Sequence, residues 1–417
     1  MLEVLSKSYS ILDNIFNKGA YSTIELSKDI DENNRKIITK IVYGVLDNNI
    51  KLEYFIKQLA STKPKNKILL ILKIALYSIL EMNSMPSYAI TDNAVELTRK
   101  IGKKETTGFV NAVLKRAANY TFTYPKERNE YLSIYFSKPL ILVNYYIGRY
   151  GVEKAEEILS VKPYELEHIR FNSRKINREK FIDLLIKNNI EFIESEAGGF
   201  FVRNEKAIYD MFNDGILTFQ SLTSMLVVKA MNVINSTVKV LDMCAAPGGK
   251  AVLIAEKSPL AEVTAADIHP HRIELIDSYK KRMGVNNVES VLSNALILNN
   301  DYIDKFDYVL CDVPCSGYGI IGKKPDIMLN RTELDIEKLT EIQYNILKNA
   351  SLYVKKGGVI VYSTCTTLYA ENEGVVKRLL ANPMFAGDSI NNGEAMQNYL
   401  PNDKGQDGFF IARIKRL

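Results

Sequence analysis

From Val238 to the end of the chain, short apolar runs alternate with helical patterns, and this alternation constrains the fold more than any other feature of the 417 residues. Residues 238–242, 263–267, 288–292, 307–312, 358–363 and 409–414 read as strands. Helices are expected over 249–257, 271–283, 336–353 and 373–380, between or after them. Such a pattern builds a doubly wound, mostly parallel sheet, and ligands bind such sheets just past the carboxyl ends of the strands. Two cysteines stand at two of these ends. Cys315 lies in Asp312-Val313-Pro314-Cys315-Ser316-Gly317, after the run Tyr308–Cys311, and Cys365 lies in Ser363-Thr364-Cys365-Thr366, after Val359–Tyr362. One buried cysteine behaves as a small hydrophobe. Two at neighbouring strand ends can face one pocket, and at least one is expected to be a nucleophile.

The first strand of this region ends in Asp242-Met243-Cys244-Ala245-Ala246-Pro247-Gly248-Gly249-Lys250, whose small residues let backbone approach a ligand at the start of a helix. It is not a Walker A loop, because Cys244 occupies the position of the first glycine, and it is not G-x-G-x-x-G. Asp267, 18 residues past Gly249 and at the end of the next strand, is placed to bind two ribose hydroxyls. An adenosine-type ligand without a pyrophosphate fits this pair, and S-adenosylmethionine is the obvious one.

The length predicts two or three domains, expected as a helical part over 1–135, a small mixed α/β module over 136–230 and the sheet domain over 231–417. Apolar spacing of three and four predicts helices over 2–17, 35–48, 52–59, 66–81, 88–101 and 105–118, with Pro64 in a first turn and 68–80 buried all round. Residues 1–135 hold 20 Lys and Arg against 14 Asp and Glu, whereas the remainder is close to neutral. That basic bias suits either a polyanion-binding domain or a solvated lysine-rich surface. In the middle module, strands are expected at 169–172, 191–194 and 200–202 around a helix at 178–187. Arg170, Arg174 and Lys175 are read there as a solvated face or as phosphate contacts. No apolar run approaches a membrane span. Four cysteines without scaffold spacing and three histidines exclude a disulfide framework and a sequence-level metal cluster. A reducing, cytoplasmic setting, no metal and no membrane partner are expected.

Two resemblances sharpen this reading. Ile74–Leu80, then Ala89-Ile90-Thr91-Asp92-Asn93-Ala94-Val95-Glu96-Leu97, then Phe109-Val110-Asn111-Ala112-Val113-Leu114 resemble NusB-type RNA-binding domains, with Asp92 where Glu is commoner. Asn111 in that motif reads equally as a structural cap or an RNA contact. The ordered set D-x-C-A-A-P-G-G-K, A-D-I, D-V-P-C-S-G and S-T-C resembles the RNA cytosine-5 methyltransferases. With the NusB-like part in front, the chain is similar to the bacterial 16S rRNA enzymes of the RsmB (Sun/Fmu) type. The resemblance implies a Rossmann-like class I methyltransferase domain behind an all-α domain, acting as a monomer on 16S ribosomal RNA, either free or in an early subunit-assembly state. It implies S-adenosylmethionine held by Cys244, Ala245, Ala246, Pro247, Gly248, Gly249, Lys250, Asp267, Asn294 and Asp312, with Asn294 replacing the usual Asp.

The same resemblance assigns catalysis to Cys365 as the attacking thiolate, Cys315 in removal of the carbon-5 proton, Asp312 on the ring, and Lys250 as either a thiol-activating or a loop-holding cation. Cys244 and Cys311 are expected to serve packing, and Lys323 and Lys324 to meet phosphates. Ala251-Val252 where Thr-Thr is common, and Gln220-Ser221 where Gln-Asp is common, bear on affinity. Two alternatives stay open: a cytosine-5 methyltransferase acting on tRNA or on DNA, the DNA type attacking from Cys315, and a non-catalytic RNA-binding factor with a decayed site. Intact Lys250, Asp267, Asp312, Cys315 and Cys365 weigh against the second.

Overall fold

The protein is described by a computed structural model over residues 1–82, 86–203, 205–330, 333–390 and 393–417. It forms two compact units, 1–160 with 321–330, and 161–320 with 331–417.

The first unit is helical, with its long helices at Leu2–Lys18, Glu32–Asp47, Asn49–Leu59, Asn66–Glu81, Ser87–Lys100 and Thr107–Ala117. Local chemistry sets several of the ends. Gly19, in the left-handed region at φ 68°, closes Leu2–Lys18, and the Asp31 carboxylate accepts the Asn33 N–H at the start of Glu32–Asp47. Asn66–Glu81 buries nearly every side chain from Ile68 to Ser78 and is the core of the unit. Pro64 is not in its first turn as expected. It precedes the capping residue Lys65, whose extended backbone (ψ 152°) delays the helix to Asn66. A six-residue helix, Ser22–Ser27, was not legible because it is shorter than two apolar periods. The aromatic-rich stretch after Tyr120 supplies helices Arg128–Phe136 and Leu140–Tyr150, and Val152–Ser160 follows.

The second unit opens with a small antiparallel sheet of β1 (Glu167–Phe171), β2 (Phe192–Glu194), β3 (Phe200–Val202) and β4 (Leu217–Phe219), ordered β2-β3-β1-β4. Helix Arg178–Lys187, whose start is capped by the Asn177 side chain, buries Phe181 and Leu185 with Ile169, Phe200 and Val202. Of the basic residues here, Arg170 is buried, Arg174 is half-buried and Lys175 stays exposed. Arg170 is 1% exposed; its guanidinium pairs with buried Glu256 and its Nε donates to Gln220 Oε1 at 2.5 Å. Arg174 donates to the Ala255 carbonyl and to Asn287 Oδ1, and Lys175 to the Asp214 and Arg282 carbonyls. Cations at the end of helix Gly249–Lys257 complement its dipole and orphan carbonyls.

The large sheet comprises β5 (Lys239–Asp242), β6 (Glu262–Asp267), β7 (Val288–Leu292), β8 (Phe306–Asp312), β9 (Val354–Thr364), β10 (Phe385–Gly387), β11 (Met396–Tyr399) and β12 (Phe409–Arg416). Among the described residues the order is β10-β12-β9-β8-β5-β6-β7, with β11 also on β12. β5 to β9 run parallel, and β10 to β12 add antiparallel pairings. The sheet is thus mostly parallel, as expected. Successive strands step away from β5 toward β7, then resume on its other side with β8. That topological switch point lies at the carboxyl end of β5, where the loop into helix Gly249–Lys257 begins.

Candidate active site

Buried Val240 and Leu241 anchor β5, and the chain then turns through the loop 242–248 into helix Gly249–Lys257. Backbone bonds from Ala245 N to Ala266 O (2.8 Å) and from Gly248 N to Ala245 O (2.7 Å) hold the turn. Gly248 is at φ 106°, and a Cβ there would press on Ile276 Cα at 3.4 Å, so only glycine completes the turn without strain.

Beside this loop is a cavity of about 440 Å3, lined among others by Cys244, Asp267, His269, Asn294, Asp312 and Pro314. That is within the range of small-molecule sites. Asp267, at the end of β6, is 3% exposed. One carboxylate oxygen accepts the His269 N–H at 3.2 Å and the other the Ala246 N–H at 3.4 Å, so each keeps a lone pair for a hydroxyl. Asn294 Oδ1 accepts the Leu296 N–H at 3.0 Å, which leaves its NH2 to donate. Ile268, Leu296, Ile342 and Ile346 supply apolar walls for a flat ring. A paired-hydroxyl acceptor, an amide donor and apolar walls fit an adenosine group.

Of the expected cofactor set, Cys244, Ala246, Asp267, Asn294 and Asp312 line this cavity. Ala245 is buried, and Pro247, Gly248 and Gly249 turn the backbone. Lys250 points instead to Asp312, with Nζ 2.5 Å from Oδ2. Burial alone would lower the Lys250 pKa, but the Asp312 carboxylate overcomes this and raises it. Ser363 Oγ donates to the other Asp312 oxygen at 2.7 Å. Asp242, absent from the expected set, is 1% exposed, and burial followed by the charge of Asp312 pushes its carboxyl up to about 7. The Cys244 and Cys311 thiols are raised, first by burial. Lys323 and Lys324 are exposed in the segment that belongs to the helical unit.

The two strand-end cysteines do meet: Cys315 Sγ and Cys365 Sγ are 3.2 Å apart. Cys315 is pushed well above the ordinary thiol range, first by its hydrogen bond to Cys365 and then by burial. Residues not singled out in the sequence set this distance. Fully buried Glu371 accepts at one oxygen from both Ser316 N and Gln343 Nε2, each at 2.8 Å, and Gln343 also donates to the Pro314 carbonyl at 2.9 Å. Ser316 Oγ donates to Thr366 Oγ1 at 2.8 Å. The loops carrying the two thiols are thus stitched together from both sides. Gly319 donates to the Cys365 carbonyl and accepts from Gly408 N. A Cβ on Gly319 would lie 2.0 Å from Gly408 O, so this crossing requires glycine. The only sequence signal was the acidic Glu371-Asn372-Glu373 run closely following the Cys365 motif.

Asp267→Ala is expected to lower affinity for S-adenosylmethionine at least tenfold, about 1.4 kcal/mol, by titration calorimetry. Unchanged affinity would remove Asp267 from the cofactor site.

Sheet order, switch-point loop and ribose-type acid define a Rossmann-like S-adenosylmethionine-dependent methyltransferase, joined here to a helical domain. The model of the 16S rRNA methyltransferase RsmB/F family matches residues 229–415, and that of the NusB family matches 3–119. The chain is 31% identical to a probable ribosomal RNA small subunit methyltransferase B of Bacillus subtilis, covering 95% of each. Among solved structures, PH0851 superposes with a TM-score of 0.84 at 22% identity over 99% of both chains. A methyltransferase homolog protein from Pyrococcus horikoshii superposes at 0.59 and 25% identity, covering 69% of this chain and 98% of that one. The chain belongs to the 16S rRNA methyltransferase RsmB/F family.

Proposed function

We propose that this protein transfers a methyl group from S-adenosylmethionine to carbon 5 of a cytosine in 16S ribosomal RNA, through a covalent bond between Cys365 and carbon 6. The observation that carries the reading is the pair of thiols 3.2 Å apart at the ends of β8 and β9. When bound, S-adenosylmethionine supplies an electrophilic methyl group.

Carbon 5 of cytosine is too weak a nucleophile to take that methyl unaided. Addition of the Cys365 thiolate to carbon 6 makes the ring an enamine and carbon 5 reactive. Asp312, fixed by Lys250 and Ser363, holds the ring near N3 and offsets the charge that develops there. Cys315 can then release its own proton to solvent and take the one from carbon 5. The electrons of that C–H bond form the 5,6 double bond as the C–S bond breaks and the Cys365 thiolate leaves. The target base must leave its stack to reach these groups. In this reading residues 1–135 grip RNA, 136–230 form an accessory module and 231–417 carry the chemistry, with Lys323 and Lys324 on phosphates.

The test is methylation of unmodified 16S rRNA by the purified protein with labelled S-adenosylmethionine, mapped by bisulfite sequencing. Protection of one cytosine is expected. Methyl transfer to another atom or base, with every cytosine converted, would overturn the proposal.

A further inference from the structure

The helical unit has a cavity of its own, of about 290 Å3. Its floor is Lys73, 4% exposed in helix Asn66–Glu81. The ammonium donates to Asn49 Oδ1 at 2.7 Å and to Glu53 Oε2 at 3.0 Å, two of its three donors. It also stands 5.3 Å from the ring centroid of Phe16. A lysine this deep is costly unless it is partnered, yet no third acceptor reaches it among the described residues.

The surroundings are positive. Burial would raise the Glu53 carboxyl, but Lys73, Lys57 and Lys63 together hold it below its usual range. Three cations thus act on one carboxylate, and Lys65 and Lys67, close to Lys63 in the chain, are exposed. Phe16, Leu69 and Leu329 give the cavity apolar walls, and the exposed Asn17 and Asn66 put amides at its edge.

These features sort the possible ligands. A bare phosphate would use the lysines and leave the aromatic and leucine walls idle. An apolar side chain would offer nothing to the third donor of Lys73. A nucleotide uses all of them: a flat base against Phe16, a base carbonyl oxygen for the third donor of Lys73, amides at the base edge and lysines at the phosphate. Unpaired RNA bases are recognised by this combination of stacking and edge hydrogen bonds.

We infer that this cavity holds one unpaired nucleotide of the RNA substrate, with its base against Phe16 and its phosphate at Lys63. The inference rests on the proposed RNA substrate. It makes the helical unit a reader of single-stranded structure and not only a basic surface.

Two full-length variants test it. Lys63→Glu changes an exposed rim residue, and Phe16→Leu keeps apolar bulk while removing the ring; thermal melting checks both for folding. With a 16S rRNA transcript, each should raise the KM for RNA about tenfold and leave kcat and the KM for S-adenosylmethionine unchanged. Cytidine and guanosine 5′-monophosphates, followed by NMR, should shift the side-chain amide signals of Asn49 and Asn66 in the parent and not in Lys63→Glu. Unchanged RNA KM in both variants, or nucleotide-induced shifts confined to the second unit, would overturn the inference. A parent that transfers no methyl group to RNA, yet binds nucleotide at Lys63, would instead fail the proposed reaction while leaving this cavity as a nucleotide site.

Discussion

Cys315→Ala is expected to accumulate a protein–RNA adduct that survives denaturing electrophoresis, and only when S-adenosylmethionine is present. The two thiols are 3.2 Å apart, so both reach one base, but they hold unequal positions. The hydrogen bond to Cys365, and then burial, push the Cys315 thiol well above the ordinary range, which disfavours the thiolate that an attack would need. In the proposed reaction, removing Cys315 leaves attack at carbon 6 and methyl transfer intact, but takes away the group that accepts the carbon-5 proton. Without that step the C–S bond cannot break by elimination, and the enzyme stays on its product. Cys365→Ala should be inactive and form no adduct, and the double variant should behave like Cys365→Ala, because trapping requires the attacking sulfur. An adduct in Cys365→Ala with none in Cys315→Ala would reverse the roles and move the chemistry to the scheme in which the P-C cysteine attacks.

Glu256→Ala should be among the most destabilising single changes in the second unit. Arg170 and Glu256 are 1% and 3% exposed and pair directly, with Gln220 on the Arg170 Nε. Truncating Glu256 strands a buried guanidinium, which costs about 3–5 kcal/mol. At a few degrees per kcal/mol for a unit of this size, the melting transition should fall by about 10 °C. Arg170→Met combined with Glu256→Leu should recover most of the loss, since neither charge is then buried. Circular dichroism melts of the single and double variants would check this. A Glu256→Ala protein that melts with the parent would mean that the pair contributes nothing net.

The pair also marks where the sequence was misleading. Arg170, Arg174 and Lys175 sit in a polar-looking segment, and the local pattern carries no sign that Glu256, 86 residues later, comes within hydrogen-bonding reach of Arg170. A buried ion pair between distant segments is invisible to periodicity, which reports only which face of one element is apolar. Pro64 misled for a smaller reason: a proline is equally acceptable just before a helix and in its first turn.

What the sequence determined by itself was whatever depends on local order. Strand–helix alternation after Val238 fixed the fold class. The small residues of 244–249 fixed a loop that must open a helix, and strand-end placement put Asp267, Asp312, Cys315 and Cys365 at one edge of a sheet. A parallel sheet makes that inference possible, because every strand in it delivers its carboxyl end to the same side. Tertiary structure alone decided the rest. It turned Lys250 onto Asp312 and out of the cavity lining, spent the Asn294 oxygen on its own turn, and set the thiols in contact by way of Glu371, Gln343 and the Gly319–Gly408 crossing. Those contacts join residues far apart in the chain, and their geometry depends on how side chains fill shared space once the strands are aligned.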